Sequence, residues 1–257
     1  MPNSAQRELT GLRAAVLGST SGIGRAVALA LAQAGADVVI HGRASRERAE
    51  QVAEQVRAAG GRTHVLMADL ADRAAGDRLV DDAWNLWDGL DAWLHIAGAD
   101  TLTGEGARLA FDQKLDRLWA VDVVATMRLT RAVGGRMKQR GGGSIVTMGW
   151  DQAETGMDGD SGELFAATKG AIMAFTRSLA LSLAPTVRVN ALAPGWIKTA
   201  WGESASIAWQ ERVLRETPLG RWGLPDDIAH AARFLVGPGA EFITGQIVRV
   251  NGGAVRG

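Results

Sequence analysis

Val16-Leu17-Gly18-Ser19-Thr20-Ser21-Gly22-Ile23-Gly24 is the stretch from which the rest of the chain is read. Apolar residues lead into three glycines, and Arg25-Ala26-Val27-Ala28-Leu29-Ala30 continues with the pattern of a helix. A strand running through a Gly-rich turn into a helix N-terminus makes a pyrophosphate site. Glycines let backbone N–H groups approach the phosphates, and the helix end adds partial positive charge. Gly18, Ser19, Thr20, Ser21, Gly22, Ile23 and Gly24 are therefore the candidate phosphate-facing residues. The spacing is G-x-x-x-G-x-G and not the G-x-G-x-x-G dinucleotide fingerprint. Alone, such a turn also fits a plain strand-to-helix connection, so the decision rests on the residues around it.

Outward from that turn, apolar runs alternate with helical patterns. Strands are expected at residues 12–17, 37–41, 63–67, 91–96, 144–148, 186–192 and 246–250. Helices are expected at 22–34, 45–59, 72–87, 163–183 and 225–236, with 109–140 mostly helical and broken near Gly134-Gly135. A long irregular segment with one short helix separates the last two strands. Strict β-α alternation predicts a three-layer, doubly wound α/β Rossmann fold with a parallel, seven-stranded sheet. No repeat or linker interrupts residues 1–257, so a single dinucleotide-binding domain is expected, with a lid-like segment at about 195–222.

Bulk composition narrows the class of function. The 257 residues carry no net charge, which favours neither nucleic acid nor an anionic membrane as partner. Cysteine is absent, excluding disulfides, thiolate catalysis and Cys-ligated metals. No apolar run is long enough to span a bilayer, and residues 1–11 are polar and lack the apolar core of a signal peptide. A soluble, cytoplasmic protein acting on a small molecule is the expectation. Tyrosine is absent and tryptophan abundant, at nine residues.

In a doubly wound sheet, ligands sit beyond the strand C-termini, so the segments after each strand are read for chemistry. After the second strand comes His41-Gly42-Arg43, about twenty residues past Gly22, where an acid would grip a ribose 2′-OH. Gly42 supplies no carboxylate and Arg43 offers a guanidinium fork, which favours NADP(H) over NAD(H); Arg43 at a solvated loop is the plainer reading. Asp69-Leu70 is placed to meet the adenine, although Asp69 equally suits a helix cap. Ala97-Gly98 allows another backbone close to a ligand. The loop after Gly149-Trp150 holds Asp151, Glu154, Asp158, Asp160 and Glu163 without a Lys or Arg. A solvated flap whose Asp160/Glu163 pair caps the next helix is preferred over a site for a cationic substrate; ligand spacing is too irregular for a metal. Phe165 and Lys169, four apart, share a helix face. Pro194-Gly195 opens the long segment, and Trp196, Trp201, Trp209 and Trp222 are spread along it. They either line a pocket for a flat, apolar or aromatic substrate, or fasten the segment to the body or a neighbouring subunit.

Over about residues 9–253 the chain resembles the short-chain dehydrogenase/reductase family. The resemblance rests on Gly18-x-x-x-Gly22-Ile23-Gly24, Asp69-Leu70, Ala97-Gly98, Lys169, Val189-Asn190, Pro194-Gly195, Phe242-Ile243-Thr244-Gly245-Gln246 and Asn251-Gly252-Gly253. It implies a nicotinamide dinucleotide, contacts from Thr199 and the Ile197 backbone to the nicotinamide amide, and a homotetramer or, less often, a homodimer. The departures cluster in the reaction machinery. The family's Asn-Asn-Ala-Gly is His95-Ile96-Ala97-Gly98, its helix asparagine corresponds to Asp122, its serine falls at or near Trp150, and its Tyr-x-x-x-Lys is Phe165-x-x-x-Lys169.

Reducing a ketone by hydride leaves an alkoxide that needs a proton, and a phenylalanine ring has none to give. No tyrosine elsewhere can replace it. Lys169 keeps a role in holding the nicotinamide ribose. Asp122 lies in an apolar helical run and needs a partner, for which family position nominates Lys169. The two form either a structural ion pair or a substitute proton relay with substrate access, direct or through a water. His95 has acid–base chemistry available, though a histidine ending a strand is more often structural. Three functions remain open at this point. The first is an NADP-dependent reductase of a conjugated C=C, for which the 2,4-dienoyl-CoA reductase branch offers a tyrosine-free precedent. The second is a non-redox lyase, isomerase or cyclase, and the third a dinucleotide-binding protein without turnover.

Overall fold

The computed structural model describes residues 7–255. The reading of 1–11 as a polar start thus falls partly, at residues 1–6, outside the described residues. Seven strands, β1 Arg13–Leu17, β2 Asp37–Gly42, β3 Thr63–Met67, β4 Ala92–His95, β5 Gly143–Met148, β6 Val187–Pro194 and β7 Ile247–Val250, form one sheet in the order β3-β2-β1-β4-β5-β6-β7. Every pairing is parallel, as between Leu17 of β1 and His95 of β4. Strand order reverses between β1 and β4, so a crevice opens there at the carboxyl edge.

Both faces are covered, as buried parallel strands require. On one face α1 Gly22–Gln33, α2 Arg46–Ala58 and α9 Pro225–Val236 bury Val27, Leu31, Val52 and Leu235 against Val16 and Ile40. On the other, α3 Arg73–Asn85, α5 Thr126–Arg140 and α6 Asp160–Leu183 pack Leu79, Leu129 and Leu179 against Leu17, Trp93 and Ile145. The helix starts follow their caps: the Ser45 hydroxyl accepts from the Arg48 N–H, and the Asp72 carboxylate from Ala74 and Ala75. Asp72, not Asp69, caps α3; Asp69 instead turns its own loop by accepting from the Ala71 N–H at 3.0 Å.

Three expectations are corrected. The 109–140 region does not break at Gly134-Gly135. It runs as α4 Phe111–Leu118, a π-helical turn Trp119–Ala125, and α5. Gly134 serves packing: a Cβ there would lie 2.5 Å from the Leu183 side chain of α6, so the glycine lets the two helices close. Second, Asp160 and Glu163 do not cap α6; its N-cap is Gly159 with no side-chain bond, and the two acids merely lie in the first turn. Third, the segment between β6 and α9 holds two helices, α7 Ala200–Ser204 and α8 Ile207–Glu216. Among the described residues no helix is long and apolar enough to cross a membrane.

Candidate active site

The Gly-rich turn is fixed by close approaches that only glycine permits. A Cβ on Gly18 would sit 2.7 Å from the Ala97 Cα, and one on Gly24 only 2.1 Å from the Gly18 carbonyl oxygen. Gly22 has φ +51, the left-handed region that glycine favours. The turn therefore presses on the Ala97-Gly98 loop in front of β4. Ser21, at the N-cap of α1, makes no capping bond, and no acid lies in the first turn. The helix end thus keeps its N–H groups free of any side-chain cap.

His41 clamps the same turn from beneath. The Gly18 N–H donates to His41 Nδ1 at 3.1 Å, so Nδ1 must be the unprotonated nitrogen and Nε2–H donates to the Ala68 carbonyl at 3.1 Å. Burial holds this imidazole down to about 4, keeping it neutral at neutral pH. The Ser19 hydroxyl accepts from the His41 N–H at 2.9 Å and the Ser19 N–H donates to the His41 carbonyl, so Ser19 is spent on the turn itself. Sequence reasoning took His41 only as the residue before Gly42; its place at a strand end was the available signal. Gly42 leaves no room for a carboxylate, since a Cβ would fall 2.8 Å from the Thr20 methyl. Arg43 beside it is exposed and takes part in no ion pair among the described residues. Asp69 is exposed and Leu70 buried at the end of β3.

Farther along the carboxyl edge, a cavity of about 500 Å³ opens between α1, the 194–201 segment and α6. Ile23, Gly149, Trp150, Phe165, Lys169, Pro194, Gly195, Ile197 and Thr199 all line it. Gly22 comes near Thr199, whose methyl would be 3.6 Å from an added Cβ, so the phosphate turn and the far segment meet. The rings of Trp150 and Phe165 stand edge to face at 6.3 Å.

Behind that aromatic wall, Lys169 Nζ lies 2.6 Å from Asp122 Oδ1. Both side chains are buried, and Asp122 Oδ2 accepts from the Ala99 N–H at 2.8 Å. The π-helical turn delivers Asp122 to this place; such turns recur at functional sites. Gly98 lets the carboxylate in, because a Cβ would be 2.9 Å from Oδ1. The chain thus brings Asp122, Lys169, Phe165 and Trp150 together, with Lys169 alone of the ion pair reaching the cavity.

His95 is not part of that group. It is fully buried with both ring nitrogens unpartnered and lies outside the cavity lining; burial, with His41 and Lys169 nearby, pushes it down to about 3. The acidic loop reaches the cavity through Met157 and Ser161, while its carboxylates lie outside the lining. Glu154 pairs with Arg177 at 2.9 Å and with Arg249 at 2.5 Å, and Asp151 points inward to the Asn251 amide at 3.1 Å. Burial lifts Asp151 to about 6. Among the described residues no carboxylate lines the cavity.

The tryptophans of the 196–222 segment pack chiefly on one another, and three of them line the cavity. Trp196, Trp201 and Trp209 line the cavity and also pack on one another, with ring centres 5.4 to 6.1 Å apart. Trp222 lies under Trp201 and is buried. Arg212 stacks over Trp209 at 4.7 Å, and the Trp196 indole N–H donates to Glu216 at 3.2 Å. The other wall includes Thr101, Leu102, Ala107 and Lys114, residues that sequence reading missed. They carry no motif, and α4 shows a surface pattern in which only Leu118 is buried.

Residues 18–255 match the family model described as enoyl-(acyl carrier protein) reductase. The 3-oxoacyl-(acyl-carrier-protein) reductase of Aquifex aeolicus is 35% identical over 251 residues, covering 96% of this chain and 98% of that one. A short-chain dehydrogenase/reductase from Serratia marcescens superposes with TM-score 0.87 at 33% identity, over 97% of this chain and 100% of that one. One from Burkholderia cenocepacia, solved in complex with NADP, gives TM-score 0.86 at 33% identity over 96% and 99%. The chain belongs to the short-chain dehydrogenase/reductase family.

Proposed function

We propose that this protein is an NADP-dependent oxidoreductase that reduces a conjugated C=C in preference to a simple ketone. The observation that carries the reading is the Trp150–Phe165 wall. Where relatives of the family place hydroxyl proton donors, two rings without one meet, with Lys169 beside them.

The chain's own groups suit the dinucleotide. The uncapped N-terminus of α1 and the Gly18–Gly24 turn would hold the pyrophosphate, Asp69 and Leu70 the adenine side, and Arg43 a 2′-phosphate that Gly42 cannot repel. Ala97, Gly98, Pro194, Gly195, Ile197 and Thr199 would frame the nicotinamide, and Lys169 its ribose. When bound, the reduced cofactor supplies a hydride. In a conjugated alkene that hydride adds to one carbon and a proton to its neighbour, so no alkoxide has to be protonated by a phenol. Lys169, tethered by Asp122, holds an ammonium at the cavity edge that passes the proton directly or through a water. The 195–222 segment acts as the lid, its indoles closing on an apolar or aromatic substrate and excluding water. Exposed Leu181 and Phe242 leave apolar surface for association of copies, in keeping with a homotetramer or homodimer.

The test follows NADPH consumption against paired enones and saturated ketones. Oxidation with enones and none with ketones is the expected result. Ketone turnover at the rate of tyrosine-bearing relatives, or substrate conversion with no cofactor present, overturns the reading.

A further inference from the structure

Every titratable group at the cavity except one is accounted for. Lys169 is neutralised by Asp122 at 2.6 Å, and no carboxylate, histidine or arginine lines the space. Lys114 remains. It sits on α4, is half-buried, and joins no ion pair or side-chain hydrogen bond among the described residues. Its acidic neighbours Asp112 and Asp116 lie two positions away along the helix, a spacing that points them to other faces. An unpaired ammonium on the wall of a cavity that also carries the indoles of Trp196, Trp201 and Trp209 would gain a charge-assisted hydrogen bond from an anion brought by a ligand.

We propose that Lys114 is a specificity-determining residue that binds a carboxylate carried by the substrate, remote from the bond being reduced. The substrate class is then a flat or apolar unsaturated acid, with its body against Trp196, Trp201 and Trp209 and its acid group at α4. This rests on the cavity being the substrate site of the reductase described above. The nicotinamide framed by Pro194, Gly195, Ile197 and Thr199 would take part of the cavity's volume of about 500 Å³, so the space left suits a small acid, and a carrier's phosphates are the alternative that the coenzyme A arm tests.

Calorimetric titration of the full chain saturated with NADP⁺ separates binding from turnover. The probes are 4-carboxychalcone, its methyl ester, and coenzyme A as the phosphate-bearing alternative. The acid is expected to bind about tenfold tighter than the ester at low ionic strength, and the advantage to shrink in high salt. Lys114→Gln should abolish the difference and Lys114→Arg should retain it. Equal binding of acid and ester to the unaltered protein overturns the proposal. So does an acid preference surviving in Lys114→Gln, or coenzyme A binding tighter than the carboxychalcone. If NADPH is never oxidised yet the Lys114-dependent preference persists, the reductase reading falls and the carboxylate site stands. If Lys114→Gln fails to fold, Lys114→Met serves in its place: an acid preference lost there supports the proposal, and one retained overturns it.

Discussion

The two halves of the crevice are built from different materials. The half proposed for the cofactor is backbone: a glycine turn so close to Ala97 that an added Cβ would lie 2.7 Å from its Cα, an uncapped helix end, and a histidine whose nitrogens are both committed to the main chain. The half proposed for the substrate is side chain: four indoles, one phenyl ring, one buried ion pair and one unpaired lysine. Backbone contacts at such distances tolerate no added atom. Side chains projecting into a cavity can be exchanged without moving the frame. On the reading proposed above, the family fold is kept while the groups facing the substrate differ.

The largest effect tests whether the substrate half is held by its ion pair. Lys169→Met leaves Asp122 buried with only the Ala99 N–H, and should cost about 3–5 kcal/mol in urea unfolding. The double variant Asp122→Leu/Lys169→Met should recover most of that loss; equal loss in both would mean the pair is not the strut. Next, Phe165→Tyr puts a phenol beside Lys169. Ketone reduction should rise about a hundredfold, the lower end of what general acid catalysis supplies. No gain there, but a gain in Trp150→Ser/Phe165→Tyr, would assign the defect to both rings.

A third experiment addresses the frame through pH. His41 and His95 are depressed to about 4 and about 3, so the unfolded chain binds protons that the folded one refuses. Their contribution is present above about pH 6.5 and is lost as pH falls toward 4, by about 1.4 kcal/mol per pH unit for each histidine. Asp151, raised to about 6, works in the opposite sense: the folded chain keeps its proton between about pH 4 and 6, which offsets part of the loss. Urea midpoints should therefore fall between pH 6.5 and 4, and His95→Asn should flatten the slope. A slope unchanged in that variant would remove His95 as a cause. The smallest effect sharpens cofactor choice: Arg43→Ala should weaken NADPH about tenfold and leave NADH unchanged, read by cofactor fluorescence.

Much of the frame was legible in the sequence because its signals are local. Strand β3 and helix α9 match their expected limits, and the Gly18–Gly24 turn stands where its apolar lead-in placed it. The apparent break at Gly134-Gly135 misled because a glycine's local cost was weighed without the neighbour it admits, Leu183 of α6. The π-helical turn had no signature in apolar spacing, yet the charge it carries was found, since Asp122 among Leu118, Val121 and Val123 demanded a partner. Lys114 was missed for the converse reason. On an exposed-looking helix a lysine is unremarkable, and only the tertiary arrangement shows that it lines the same cavity as the indoles.

The same indoles give the molecule its own optical reporter. With no tyrosine in the chain, its near-ultraviolet emission comes from tryptophan, and Trp150, Trp196, Trp201 and Trp209 surround the place where a ligand would sit. Closure of the segment or entry of a quenching guest should dim a signal that needs no attached dye.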